Sequence, residues 1–472
     1  MRSTFGGLEI AKRGLFAQQA ALNVTGHNIA NTNTEGYTRQ RANMEASMPF
    51  PYPSLTNERQ AGQMGTGVIV SSIQRLRDRF LDAQFRSQYK NVGQYEARTN
   101  ALEQIEVIMN EPSDKGLRYV MDEFWNSWQK VSQPSADYST REYVIQKGKA
   151  LAETLNFIDR ELKQLQKDFN SQVEIKAEQL ETIVKQIADL NQQISDIVPH
   201  GYIPNDLYDK RDVLIDKLSK MLDIEVETVP IDVDGKKVDG PVNITLKNPS
   251  GVQLVTGNTP ASITLVDSGK LANGDDRRFI SVGGTQLDSG NLKAGEIYGL
   301  VDSRDTVIHN YITKINDLAK AFIKEVNEKH SSENFFSGAD ASNIGVAITD
   351  PNKVAYDPAN PGDNSIALAV YALKQSTSIS IGGTTTSFDG FTRAMIATLG
   401  VETEEAQRMK ENAESLVMEV ENRRQSISGV SLDEEMSNMI KFQHAYNAAA
   451  RTITAVDEML DKIINGMGIV GR

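Results

Sequence analysis

Few side chains in this sequence combine the type and spacing that chemistry needs. It contains no cysteine, which excludes disulfides, thiolate metal sites, iron–sulfur clusters and a cysteine nucleophile. The histidines His27, His200, His309, His330 and His444 never fall closer than 21 residues apart, so no local His-pair metal motif exists. His27 and His444 read as polar positions on helix surfaces. Asp232-Val233-Asp234-Gly235 alternates carboxylates as a calcium loop does, because a hard cation needs several oxygens. Position 5 of such a loop is Lys236 and the glycine comes one ligand pair early, so a hairpin turn is the better reading. The run Asn205-Asp206-Leu207-Tyr208-Asp209-Lys210-Arg211-Asp212 follows Pro204 and is dense in charge. A carboxylate pair there could serve acid–base chemistry, but a helix N-cap followed by i,i+3 and i,i+4 ion pairs accounts for it more simply. Asn243-Ile244-Thr245 fits a glycosylation acceptor by form only. There is no phosphate-binding glycine loop, no GxSxG elbow and no HExxH. The sequence therefore predicts no catalytic residue, no cofactor and no metal ligand, and its function must lie in surfaces.

Length and charge bound those surfaces. At 472 residues the chain exceeds one compact core and fits about two to four domains. A net charge of −13 argues against a nucleic-acid backbone or an anionic membrane as main partner. The longest apolar stretch, roughly Ser365 to Leu373, is too short for a membrane span. The first 30 residues carry Arg2, Glu9, Lys12 and Arg13 and no signal-peptide core. The expectation is a cytosolic protein or one exported without a cleaved signal.

The elements that would present a surface are legible as periodicities. Leu8, Leu15, Leu22 and Ile29 recur by sevens, as do Leu432, Met439, Tyr446, Ile453, Leu460 and Met467 at the other end. Met436, Ala450 and Ile463 add d-type positions, while Gln443 and Asp457 interrupt them. Such heptads favour helix packed against helix at the C-terminus; for the shorter N-terminal run an amphipathic helix on a globular core fits equally. Neither stripe can be buried alone, so each needs the other or another subunit. Between them 3/4 spacing marks helices from Leu81 to Met109 (halted near Glu111-Pro112), from Leu117 to Val131 (closed by Pro134), and from Val144 to Ile197 up to Pro199. With roughly 60 residues at ~1.5 Å each, the last is a rod of about 90 Å. Further helices are expected near 206–222, 304–330 and 390–427. From Ile224 to Ile297 the period shortens to β alternation punctuated by Asp-Gly and Gly-Gly pairs. A second insert, 335–390, mixes a helix at 365–375 with a hairpin around Ile379, Ile381 and Gly382-Gly383. The fold class is mainly α with inserted β: an elongated multi-domain rod with paired terminal helices, a long-helix bundle and outer β-rich domains. Its expected division is 1–55 with 428–472, then 56–222 with 300–334 and 388–427, then 223–299 and 335–387.

One stretch narrows the function. Leu22 to Tyr37, reading LNVTGHNIANTNTEGY, is a helix breaking into an Asn/Thr/Gly loop whose side chains bond their own backbone. It resembles the terminal signature of bacterial flagellar rod, hook and hook-associated axial proteins, carried here on Asn28, Ala30, Asn31, Gly36, Tyr37 and Arg39. Thr38-Arg39-Gln40, Gly65-Thr66-Gly67-Val68, Ile73-Gln74-Arg75, Asp78 to Leu81, and the run ending in Asp212 are similar to the hook-associated branch. So are Ser431 to Met436, Phe442-Gln443 and Ala445-Tyr446. One departure is a short spacer between His330 and Phe335-Phe336, which implies a reduced outer part. The resemblance implies a structural, non-enzymatic protein of the hook–filament junction. Leu8, Leu15, Leu22, Ile29, Leu432, Met439, Tyr446, Ile453 and Leu460 would form its assembly interface as an inner tube. Implied partners are further copies of itself, the hook protein, a filament-side junction protein and flagellin. A cytoplasmic export chaperone on the C-terminal helix is implied too, along with secretion through the flagellar type III apparatus, without nucleic acid or membrane insertion. The alternatives are a hook or distal-rod protein of the same family, or a scaffold carrying an outer adhesive or hydrolase module.

Overall fold

A computed structural model describes residues 6–50, 65–109, 116–133, 137–233, 235–330, 333–356 and 363–466. Met467, Glu111-Pro112, Pro134 and Asp234, singled out above, lie outside the described residues. The chain opens with helix α1 (Gly6–Ala30) and the antiparallel hairpin β1 (Gln40–Ala46) and β2 (Val68–Arg75), which lies against α1. Helices α2 (Arg79–Met109) and α3 (Leu117–Val131) lead to α4 (Tyr138–Ile197), 60 residues without a break. Asp137 caps α4 by accepting from the Thr140 backbone N–H at 2.9 Å. The helix tightens to a 3₁₀ turn around Pro199 and stops at Gly201, whose φ of +81° is open to glycine without strain.

Along α4 lie the remaining elements. Helix α5 (Asn205–Met221) folds back beside it. Strands β3 (Ile224–Val233), β4 (Lys236–Leu246), β5 (Gln253–Thr256) and β6 (Thr259–Pro260) form an antiparallel sheet in that order. Strands β7 (Ile263–Lys270), β8 (Asp276–Val282) and β9 (Thr285–Leu287) form another. The β3–β4 turn answers the calcium-loop question: Asp232 accepts from the Gly235 N–H at 2.8 Å, so its carboxylate serves its own turn. Two buried amides on α4 fasten both sheets. Asn191 donates to the carbonyls of Val242 and Gly257 and accepts from Val242 N–H and Arg211. Asn170 accepts from Arg278 N–H and Arg304.

The return path differs in detail from the periodic reading. Helix α6 (Glu296–Asp302) passes through a π turn at Ser303–Ile308 into α7 (His309–His330), so the helical run begins earlier than 304. The π turn holds fully buried Arg304 over the Phe279 ring, paired to Asp305. One inserted residue shifts the apolar phase there, which is why spacing alone reads the segment late. Past α7, β10 (Phe336–Ser337) pairs with β11 (Gly345–Val346), then come α8 (Ser365–Ala372) and the hairpin β12 (Ile379–Ile381) and β13 (Thr384–Thr386). Phe335 and Phe336 bury completely among Phe124, Trp125, Trp128, Phe322 and Phe388. Helix α9 (Phe388–Ser428), capped by Ser387, runs back along α2, and α10 (Leu432–Gly466) then lies along α1. The result is a mainly α rod with β excursions, in which the helices α1 and α10 pair.

Candidate assembly interface and its polar anchor

Helices α1 and α10 pair antiparallel. Asn28 meets Glu435, and Gly14, fourteen residues earlier on α1, faces Ala449, fourteen residues later on α10. The seam on the α1 side is made of small residues: Ala11, Ala17, Ala21 and Val24 are buried. Leu8, Leu15, Leu22 and Ile29 flank it and are only half-buried. On α10, Met439, Tyr446, Ile453 and Leu460 are half-buried and Leu432 is exposed. A pair of helices plus a two-stranded hairpin cannot cover a stripe on every side. Phe16 stays 56% exposed, Met436 56%, Ile440 54% and Ile464 71%. A face this apolar on one protein is the sort that another surface covers.

At the base of the pair the signature loop becomes a polar knot. Asn28 is 1% exposed and uses its whole amide. Its Nδ2 donates to the Gln40 carbonyl and to Glu435 Oε2, both at 2.9 Å. Its Oδ1 accepts from the Tyr37 hydroxyl at 2.8 Å and the Gln40 N–H at 3.0 Å. Arg39 then reaches Glu435 at 2.7 Å and Glu434 at 2.6 Å. Burial would lower the Arg39 pKa, but Glu434 and Glu435 raise it on balance. Burial, with Asp206, Asp209 and Glu435 nearby, pushes the Tyr37 hydroxyl well up, so it stays a donor. Asn31 accepts from the Thr34 hydroxyl and donates to the His27 carbonyl, closing the end of α1, while Ala30 is exposed. Gly36 has φ +75° and a Cβ there would collide with Val213, so two independent constraints demand glycine.

The knot continues into the body through α5. The Thr38 N–H donates to Asp209 at 3.0 Å and Gln40 to Asp206 at 3.1 Å. Asp212 sits among three guanidiniums: Arg75 at 2.9 Å, Arg77 at 3.2 Å and Arg86 at 3.3 Å. Burial pushes its pKa upward, and Arg77, Arg75 and Arg86 outweigh burial, holding the carboxyl well below the usual carboxylate range. Asp209 behaves oppositely, raised by burial despite Arg75. Arg86 passes the network to Asp216 at 2.7 Å, and Asp216 accepts Arg424 of α9 at 2.5 Å. Thus α1, α2, α5, α9 and α10 are tied at one place. The knot is fixed charge in compensated pairs, the chemistry of a joint. Among the described residues no group of three or more potential ligands could hold a metal ion.

The sequence brought Asn28, Tyr37, Arg39 and Asp212 into view, and the structure gathers them within one network. It did not reveal the alanine seam, nor Glu435, Arg77, Arg86 and Arg424 as partners. Alanines carry no periodic signal among leucines, and Asn28 and Glu435 are 407 residues apart.

The family described as flagellar hook-associated protein FlgK helical domain matches residues 102–344. Those described as flagella basal body rod protein and flagellar basal body rod FlgEFG protein C-terminal match 8–38 and 422–466. The chain is 37% identical to flagellar hook-associated protein 1 of Bacillus subtilis (strain 168), with 100% of both chains covered. To flagellar hook-associated protein 1 of Escherichia coli (strain K12) it is 26% identical, covering 96% of this chain and 98% of that one. The solved flagellar hook junction protein FlgK from Burkholderia pseudomallei shares the fold at a TM-score of 0.61 and 14% identity, over 74% of this chain and 100% of that one. Full-length identity of this order, a helical-domain match and terminal segments that meet in one knot agree: the chain belongs to the flagellar hook-associated protein 1 family.

Proposed function

We propose that the protein forms the junction between hook and filament by packing the open face of its α1–α10 pair against terminal helices of neighbouring copies. Family membership makes it a structural component of the flagellum, not an enzyme, assembled with other axial proteins in the extracellular organelle. One observation carries the finer reading: the apolar side of the α1–α10 pair is left open while its base is locked to the body. In that arrangement Leu8, Leu15, Leu22, Ile29, Leu432, Met439, Tyr446, Ile453 and Leu460 contribute to the assembly seam. Residues 1–55 with 428–472 line the inner tube, 56–222 with 300–334 and 388–427 form the next shell, and 223–299 and 335–387 face outward. Hook protein adjoins one side, a filament-side junction protein and flagellin the other. The same open face calls for cover before assembly, which a cytoplasmic chaperone on α10 supplies until export through the flagellar type III apparatus.

The test is electron microscopy of flagella from a strain lacking the gene, with and without the gene restored. The expected result is hooks without filaments and flagellin lost to the medium, reversed by complementation. Normal filaments without the gene would refute the reading. Long tubes formed by the purified protein alone would replace it with a hook-protein role.

A further inference from the structure

We infer that a second copy of this chain seats the stretch Met436–Val456 of its α10 in a groove between α2, the signature loop and the C-terminal half of α9. The inference rests on the assembly reading above and adds to its contacts between terminal helices a second one, between the Met436 end of α10 and the body of the next copy. The groove encloses about 790 Å³ and is walled by Phe85, Val92, Val417 and Met418. Helix α9 leaves Met418 65% exposed. Helix α9 does not need Met418 for its own core, and here that side chain borders the concavity beside Phe85, Val92 and Val417.

Charge identifies the occupant. The charged side chains of the lining are Glu35, Asp216, Glu414 and Glu421 against Arg77, Lys217 and Arg424. Glu35 and Glu414 line the groove with no ion pair among the described residues, against the single unpaired amine of Lys217. Met436–Val456 is the opposite: it holds Lys441 and Arg451 and no carboxylate. Both cations are exposed and, among the described residues, unpaired, and both follow the exposed apolar side chains of Met436 and Ile440 along the same helix. Exposed apolar side chains and unpaired charges of opposite sign are therefore offered by the two surfaces.

A copy cannot satisfy itself in this way. After Gly429 its α10 is held along α1 by the Asn28–Glu435 contact and does not fold back onto α9. The groove is also continuous with the terminal pair, because Ser428, Gly429 and Val430, from which α10 departs, are part of its lining. Two different surfaces of one chain meeting between copies make a heterologous contact. Such contacts propagate into rings or helices instead of closing as a dimer.

The absence of cysteine makes the test clean. Met418→Cys and Ile440→Cys are introduced singly and together in the full chain, expressed in the deletion strain, and oxidised or bridged with a short bismaleimide in isolated flagella. The expected result is a ladder of linked copies from the double variant and only monomer from either single one. The control is Gly14→Cys with Ala449→Cys, whose Cβ positions lie 3.9 Å apart, within disulfide reach; it should close within one copy. A double variant that enters the flagellum, supports filaments and stays monomeric while the control closes would overturn the inference. Linking by a single variant would also overturn it, since that reports a self-complementary contact. As a second arm, Glu414→Lys and Lys441→Glu should each reduce filament number several-fold and together restore it; failure of the pair to restore counts against the inference. Failure of the assembly reading itself is seen separately, as normal filaments in the strain lacking the gene.

Discussion

Asp212 stands in nothing that resembles an active site, yet three guanidiniums converge on it. A compensated cluster of this kind is costly to break and nearly neutral to keep, because each remaining charge is already out of water. Asp212→Asn keeps the shape and removes the charge, leaving Arg75, Arg77 and Arg86 with Asp209, Asp82 and Asp216 as their remaining carboxylates and one buried positive charge in excess. The expected loss is about 3 kcal/mol, read as a fall of roughly 10 °C in the thermal midpoint of the helical body. The sign with pH follows from the depressed pKa. Stability contributed by the carboxylate is complete above its unfolded value, about 4, and fades as pH falls toward the lower folded value. The gap between wild type and variant should hold from pH 5 to 8 and narrow below about pH 4. A gap independent of pH would show that the charge is not what Asp212 supplies. At this scale the sequence was informative about identity but silent about partnership. The run Asn205–Asp212 was read as a helix start with local ion pairs, and α5 does begin at Asn205. Its carboxylates, however, look outward to Thr38, Arg75, Arg77 and Arg86, residues more than a hundred positions away, which no local spacing encodes.

Elements were more legible than their contacts. Helices α2, α3, α4 and α9 follow the 3/4 spacing closely because each buries one broad stripe, and a stripe is a sequence property. The seam of α1 is the exception. Sevens drew attention to its leucines, whereas contact with both α10 and the β1–β2 hairpin brings the backbones close and places alanines inside. A consequence distinguishes the two views. Ala21→Leu, at a position 2% exposed, should overpack the seam and cost about 2 kcal/mol, while Leu22→Ala at the half-buried flank should cost less. Hydrogen exchange reads the difference locally: α1 and α10 amides should exchange faster in Ala21→Leu with α4 unaffected. A larger effect at Leu22 than at Ala21 would restore the leucine stripe as the intramolecular seam.

For the whole molecule, α4 sets the length, the two sheets and the aromatic cluster lie along it, and the knot fixes where the terminal pair leaves the body. The nested topology and the mainly α class could be read from periodicity because the change from 3.6 to 2 is abrupt near Ile224. The convergence of both ends could only be inferred from two stripes needing cover. Family membership assigns the molecule to the flagellum, and the open face of the α1–α10 pair supplies the physical means of assembly. The most direct measurement is Ile453→Asp in the full chain, expressed in place of the native protein. Ile453 is half-buried in one copy, so the body should keep its thermal unfolding, and the variant should be detected in the medium as evidence of export. Burying a carboxylate between copies costs several kcal/mol, so electron microscopy is expected to show hooks with no filaments. A variant that is exported and still supports filaments of normal number and length would contradict the account, because Ile453 would then lie on no assembly seam.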